Sequence, residues 1–235
     1  MATDAFLAMT AAEIMENPEK PPHITWMACH FSPYSTGISN LPRHLPEGSV
    51  LILNDLTPIH GHDPSRIARQ LNECLERLNY SDLLLDFQRP DCTETARLVK
   101  YLVQAVQCPV VVSDVYAQDL NCPVFLAPVP PSAPLGEFLA PWIGREIWLE
   151  MGLDGEQITL TEDGAVVTPL PHFVPPDAGH FEENLHCHYT IEVGEDARFT
   201  LWRTEVDLAA LVEEAGAMGV KGLVGLYQEL HKYLP

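Results

Sequence analysis

Basic residues are scarce in this 235-residue chain: 13 Lys and Arg stand against 33 Asp and Glu, a formal charge of −20. A nucleic-acid backbone or an anionic membrane surface needs a positive face, so neither is expected as a partner. Solubility alone explains such a surplus, and the field it creates favours cationic or neutral ligands. Long apolar runs are missing too. No stretch reaches the roughly 18 residues of a membrane span. The opening MATDAFLAMTAAEI lacks the basic n-region and apolar core of a secretory signal. The cytoplasm is the expected location. Six cysteines (Cys29, Cys74, Cys92, Cys108, Cys122, Cys187) show no C-x-x-C spacing, which suits reduced thiols. The chain has no G-x-S-x-G elbow, no P-loop and no G-x-G-x-x-G, and no cofactor is expected. Internal repeats and low-complexity tracts are absent.

What the chain does have is a set of short apolar runs, each closed by a polar side chain. ITWMACH ends at His30, VLILND at Asp55, LLLDFQ at Asp86 and Gln88, VVVSD at Asp114, and IWLE at Glu150. Helical stretches separate many of them. Asp63 and Pro64 supply a cap and a first-turn proline for a helix to about Leu78. A second helix over Thr93 to Val106 carries Leu98, Tyr101, Leu102 and Ala105 at core-facing spacing. Thr204 and Asp207 make a capping-box pattern for a helix to Ala217. Runs of this kind describe a parallel sheet covered on both faces, whose strand ends share one ligand-binding rim.

Strands are predicted over 24–30, 50–55, 83–88, 110–113, 123–127, 146–151, 199–202 and 220–226. That number fits an α/β fold of the (β/α)8 TIM type. The barrel is expected to be irregular, because the link from 113 to 123 is too short for a full helix. Added β-hairpins are expected in the C-terminal half, where QITL-TEDG-AVVTPL and HCHYTIEV-GED-ARFTLW alternate around turn residues. Residues 1–22 read as a short amphipathic helix and a Pro-rich lead-in (Pro18, Pro21, Pro22), and 23–235 as a single barrel domain. An open mixed sheet is the competing architecture.

On a barrel rim Asp86, Asp114 and Glu150 are the candidate catalytic residues. Two carboxyl groups in one pocket push their pKa values apart and provide an acid and a base. His30, Asp55, Gln88, Arg89, Tyr116 and Tyr227 are the candidate substrate-binding residues. The competing roles are structural: Asp114 capping the turn after it, and Glu150 pairing with Arg145 or Arg89. The pairs His60-Gly-His62 and His186-Cys-His188 raise a metal-dependent hydrolase as an alternative. The first sits in a loop and the second on a hairpin face, so no metal ligand is assigned.

The segment SDLLLDFQRP carries a family signal. It resembles the strand-end motif of glycoside hydrolase family 18, the chitinase-like barrels, which reads D-G-x-D-x-D-x-E. In that family the last Glu protonates the glycosidic oxygen and the preceding Asp orients the substrate's acetamido group. Aligned on this motif, Ser81, Asp82 and Leu84 replace its first acid, glycine and second acid. Asp86 matches the third acid, Phe87 keeps an aromatic, and Gln88 stands where the proton donor would be. A Gln amide donates a hydrogen bond but delivers no proton. GLVGLY is similar to the family's closing strand, with Tyr227 at the place of an aromatic sugar platform. The resemblance implies a barrel and a small-molecule or glycan ligand. It leaves three functions open: hydrolysis by the remaining acids, sugar binding without turnover, or partner binding through the loops and hairpins. The sequence leaves the oligomeric state open.

Overall fold

Alternate residues of the apolar runs point into one shared interior. Phe6, Val50, Leu84, Val111, Phe125, Trp148 and Val224 are all buried there, one from each of seven strands. The computed structural model describes residues 3–17, 23–59, 61–90, 92–171, 173–176 and 178–231. In chain order the first half runs β1 (Asp4–Met9), α1 (Ala11–Glu16), β2 (Ile24–Phe31), β3 (Ile38–Ser39), β4 (Val50–Asn54), α2 (Pro64–Leu78), β5 (Asp82–Asp86), α3 (Thr93–Ala105) and β6 (Val110–Ser113). The second half runs α4 (Asp114–Ala117), β7 (Val124–Leu126), α5 (Leu135–Leu139), β8 (Ile147–Met151), β9 (Gly155–Thr161), β10 (Gly164–Leu170), β11 (His180–Glu182), β12 (Cys187–Val193), β13 (Ala197–Trp202), α6 (Glu205–Ala217), β14 (Gly222–Leu226) and α7 (Tyr227–Leu230).

Eight parallel strands follow the order β1-β14-β8-β7-β6-β5-β4-β2, and β2 returns to β1 through Leu7↔Ile24 to Met9↔Trp26. The ring is closed, as a (β/α)8 barrel requires. The short β3 adds an antiparallel edge to β2. Outside the ring, Leu71 of α2 and Leu98 and Leu102 of α3 pack on the outward strand residues Leu51, Leu83 and Leu85. Asp63 caps α2, its carboxylate accepting the Ser65 N–H, with Pro64 in the first turn. Thr204 and Asp207 close a reciprocal capping box on α6. The bottom of the barrel is filled by Trp148, stacked on Phe6 at 5.2 Å. A methyl group at Gly222 would lie 2.6 Å from the Trp148 ring, so only glycine lets β14 pass the indole.

Two strand assignments are corrected. Residues 4–9, expected in the lead-in, form a barrel strand, with Asp4↔Gly222 to Ala8↔Leu226 in register. Phe199 to Trp202, expected as the seventh barrel strand, belongs to β13 in a separate antiparallel sheet of order β10-β9-β13-β12-β11. The expected helix is real at α1, where Thr10 and Glu13 form a capping box. Pro18, Pro21 and Pro22 lie outside the described residues. Tyr101, expected to face the core, is 41% exposed. Only the single turn α4 stands between β6 and β7. Arg145 ties that short link down by donating to the carbonyls of Ala117, Leu120 and Cys122 at 3.0, 2.9 and 2.6 Å.

The second sheet is inserted between β8 and α6, and both expected hairpins lie in it. Buried Arg203 fastens it to the barrel. Its guanidinium donates to the carbonyls of Val129, Pro130 (3.2 Å) and Leu185 (3.1 Å). Glu156, also buried, accepts the Ser132 N–H at 3.1 Å. On the other side His188 meets Asp207 at 2.9 Å and His186 meets Glu214 at 3.1 Å, so both histidines clasp α6.

Candidate functional site

In the ring the inward positions of β5 are Leu84 and then Asp86, and those of β8 are Trp148 and then Glu150. Each strand thus places an apolar side chain in the core and a carboxyl one step nearer the C-terminal mouth. β5 and β8 stand three strands apart in the ring of eight, separated by β6 and β7. Their carboxyl groups therefore face each other across the mouth. Between them opens a cavity of about 500 Å³. Its floor is apolar, with Met27, Ile52, Phe125 and Val224. Its polar wall is Asn54, Asp55, Asp86, Gln88, Arg89 and Glu150.

The wall is organised around the end of β5. Gln88 Nε2 donates to Asp86 Oδ1 at 2.5 Å, which fixes the amide on the carboxylate at the cavity wall. Asp55 is 7% exposed and caps the turn after β5. Its Oδ1 accepts the Gln88 N–H at 3.2 Å and its Oδ2 the Arg89 N–H at 3.0 Å. Arg89 Nη2 donates to the Leu56 carbonyl at 2.7 Å. The turn that carries Gln88 is thus held from below by a buried carboxylate.

Both facing carboxyl groups hold their protons more tightly than usual. Burial raises the Asp86 pKa, the Gln88 amide opposes the rise, and the Asp55 charge adds to it. Burial also pushes Glu150 up, to about 7, with the charges of Asp86, Asp154 and Glu229 contributing. Neither expected cation meets Glu150: Arg145 is spent on the β6–β7 link and Arg89 on a carbonyl. No hydrogen bond to the Glu150 carboxyl is made by the described residues. The site holds a carboxyl group whose pKa burial pushes up to about 7 together with an amide-clamped one, a pairing able to give and take protons.

Of the sequence-predicted residues, Asp55, Asp86, Gln88, Arg89 and Glu150 come together on the cavity wall. Four others stand outside its lining. Asp114 is the first residue of α4 and accepts the Val115 N–H at 2.9 Å; the N-cap is Ser113, so the expected capping role is not filled by Asp114. Tyr116 donates its hydroxyl to the Arg89 carbonyl, so it braces the wall from behind. His30 lies with Nδ1 3.1 Å from the Ala28 carbonyl. Tyr227 donates to Asn17 Oδ1 at 2.8 Å and stacks on His231 at 4.6 Å. Asn54 was missed. It lies two residues past the inward Ile52, and its amide bonds the Met27 carbonyl at 3.1 Å. Counting by twos from Val50 and Ile52 was the signal that would have found it.

His60 lies outside the described residues, and His62 packs edge-on to Phe31 at 5.1 Å. Among the described residues no group of three or more His, Cys, Asp or Glu is placed to hold a metal ion.

No family model matches the chain. No curated protein matches it by sequence either. Solved structures do match in fold. A glycoside hydrolase family 18 N-acetylglucosaminidase from Paenibacillus barengoltzii superposes with a TM-score of 0.62 at 11% identity, covering 99% of this chain and 98% of that one. A plant class V chitinase mutant from Cycas revoluta, in complex with (GlcNAc)3, gives 0.62 at 12% identity over 99% and 97%. A chitinase-like agglutinin from Robinia pseudoacacia gives 0.61 at 13% identity over 97% and 96%. The chain has the family 18-like barrel. At this identity the likeness is one of fold, and function has to be argued from the site.

Proposed function

We propose that the protein binds a carbohydrate at the C-terminal rim of its barrel. The observation that carries this reading is the Gln88–Asp86 pair, closed at 2.5 Å on the wall of a 500 Å³ cavity. A carboxylate locked beside an amide offers an acceptor and a donor at fixed spacing, which suits hydroxyl and acetamido groups. Met27, Phe125 and Val224 give the apolar faces of a sugar ring a dry floor. The similarity to barrels that include a chitinase crystallised with (GlcNAc)3 supports the same ligand class. Placement in the cytoplasm belongs to this reading and is supported by six free cysteines.

Titration calorimetry with chito-oligosaccharides and with peptidoglycan fragments tests it. Heat is expected from at least one of the two, and Asp86→Ala is expected to abolish it. Gln88→Ala is expected to weaken binding about tenfold, the worth of one hydrogen bond to a charged group. Silence with both glycan classes would remove the reading.

A further inference from the structure

The place of the family's proton donor is held by Gln88, which cannot release a proton, yet a second carboxyl group faces the same cavity. Glu150 lines the same mouth as Asp86 from a strand three positions away, and among the described residues no arginine or lysine forms an ion pair with it. We propose that Glu150 and Asp86 form a hydrolytic pair across the cavity, Glu150 protonating the glycosidic oxygen and Asp86 taking a proton from the attacking water. This inference rests on the carbohydrate reading above.

Three observations carry it. First, the two groups line one opening from strands three positions apart in the ring of eight, so a sugar bound in it would meet both carboxyl groups. Second, their surroundings differ. Gln88 donates to Asp86 Oδ1, which stabilises the ionised form of that group and leaves Oδ2 to accept a proton. Glu150 receives no such donor from the described residues, and burial favours its neutral form. The environment thus assigns the base to Asp86 and the acid to Glu150. Third, Asp55 holds the turn behind Gln88 through two backbone N–H groups, so the clamp on Asp86 is rigid.

The step balances without a cofactor. The Glu150 proton moves to the glycosidic oxygen as the bond from that oxygen to the anomeric carbon breaks, and the bond's electron pair leaves with the oxygen. A solvent water adds its oxygen to the anomeric carbon and gives one proton to Asp86. The products are two sugars, each with a free hydroxyl. Proton exchange with solvent then returns Glu150 to its acid form and Asp86 to its base form.

The test uses the full chain with the glycan that gives heat in calorimetry, and reads released reducing ends alongside binding. Wild type is expected to release product, at a rate that falls as pH rises through about 7, where Glu150 loses its proton. Glu150→Gln is expected to keep the heat of binding and to lose at least about a hundredfold in turnover, the usual contribution of a positioned acid. Asp86→Asn is expected to lose turnover comparably. Binding by wild type without any product, or wild-type turnover by Glu150→Gln, would overturn the pair and leave the carbohydrate reading standing. Absence of heat from every glycan would remove that reading and the pair with it.

Discussion

Glu150 is a carboxyl group placed against its own stability. Burial pushes its pKa in the folded protein up to about 7, from an ordinary glutamate value of 4.5. An acid with a raised folded pKa favours the folded state below its unfolded pKa, and that advantage is lost as pH rises through the folded value. The window here runs from 4.5 to about 7. The ceiling on the effect is about 3 kcal/mol, on the order of 5–10 °C in Tm for a chain of this size. Glu150→Gln is therefore expected to melt several degrees above wild type at pH 8 and level with it at pH 4. Scanning calorimetry at the two values checks this. An equal gap at both would show that burial of the charge is not what the site costs. Such a cost is expected where a protonated carboxyl is kept for chemistry.

At the scale of elements, the second sheet hangs on the barrel through a few polar anchors. Arg203 is 3% exposed and spends its guanidinium on three backbone carbonyls from the barrel loop and the 3-10 turn at Glu183–Leu185. Replacing it with Met keeps the volume and leaves those carbonyls unpaired, at a cost of about 3 kcal/mol. The loss is expected to be local. Hydrogen exchange in Arg203→Met should speed up in β9, β12 and β13, with β4 and β5 protected as before; uniform acceleration would contradict the anchoring role. The same division explains which strands could be read in advance. VLIL and VVV are unbroken apolar runs because barrel strands are covered on both faces. ARFTLW alternates, as a half-exposed antiparallel strand does, and that alternation is the sign against the expected placing of Phe199 to Trp202 in the barrel. DAFLAM was hidden for a different reason. Ala, Leu and Met favour helix and a real helix follows, so the strand is held by parallel pairing on both sides, with Ile24–Trp26 of β2 and with Gly222–Leu226 of β14 at the far end of the chain.

For the whole molecule, the barrel was legible in the sequence and the rim only in part. Asp86, Gln88 and Glu150 were legible because each continues the inward phase of its strand. Asp114 failed because Val111 sets the inward phase on β6, so Ser113 takes the inward place and donates to the Phe87 carbonyl at 2.7 Å. Asp55 is likewise one step out of phase, and the structure makes it the cap beneath the Gln88 turn. The ring thus brings Asp86 and Glu150 to one opening and leaves Asp114 at a turn outside it. The central claim is that these two carboxyl groups sense each other across the mouth. The most direct measurement is a carbon-13 NMR titration of the Glu150 side-chain carboxyl in wild type and in Asp86→Asn. A midpoint near 7 is expected in wild type, raised mainly by burial, and a lower one once the opposing charge is gone. An ordinary midpoint in wild type, or no change on replacing Asp86, would contradict it.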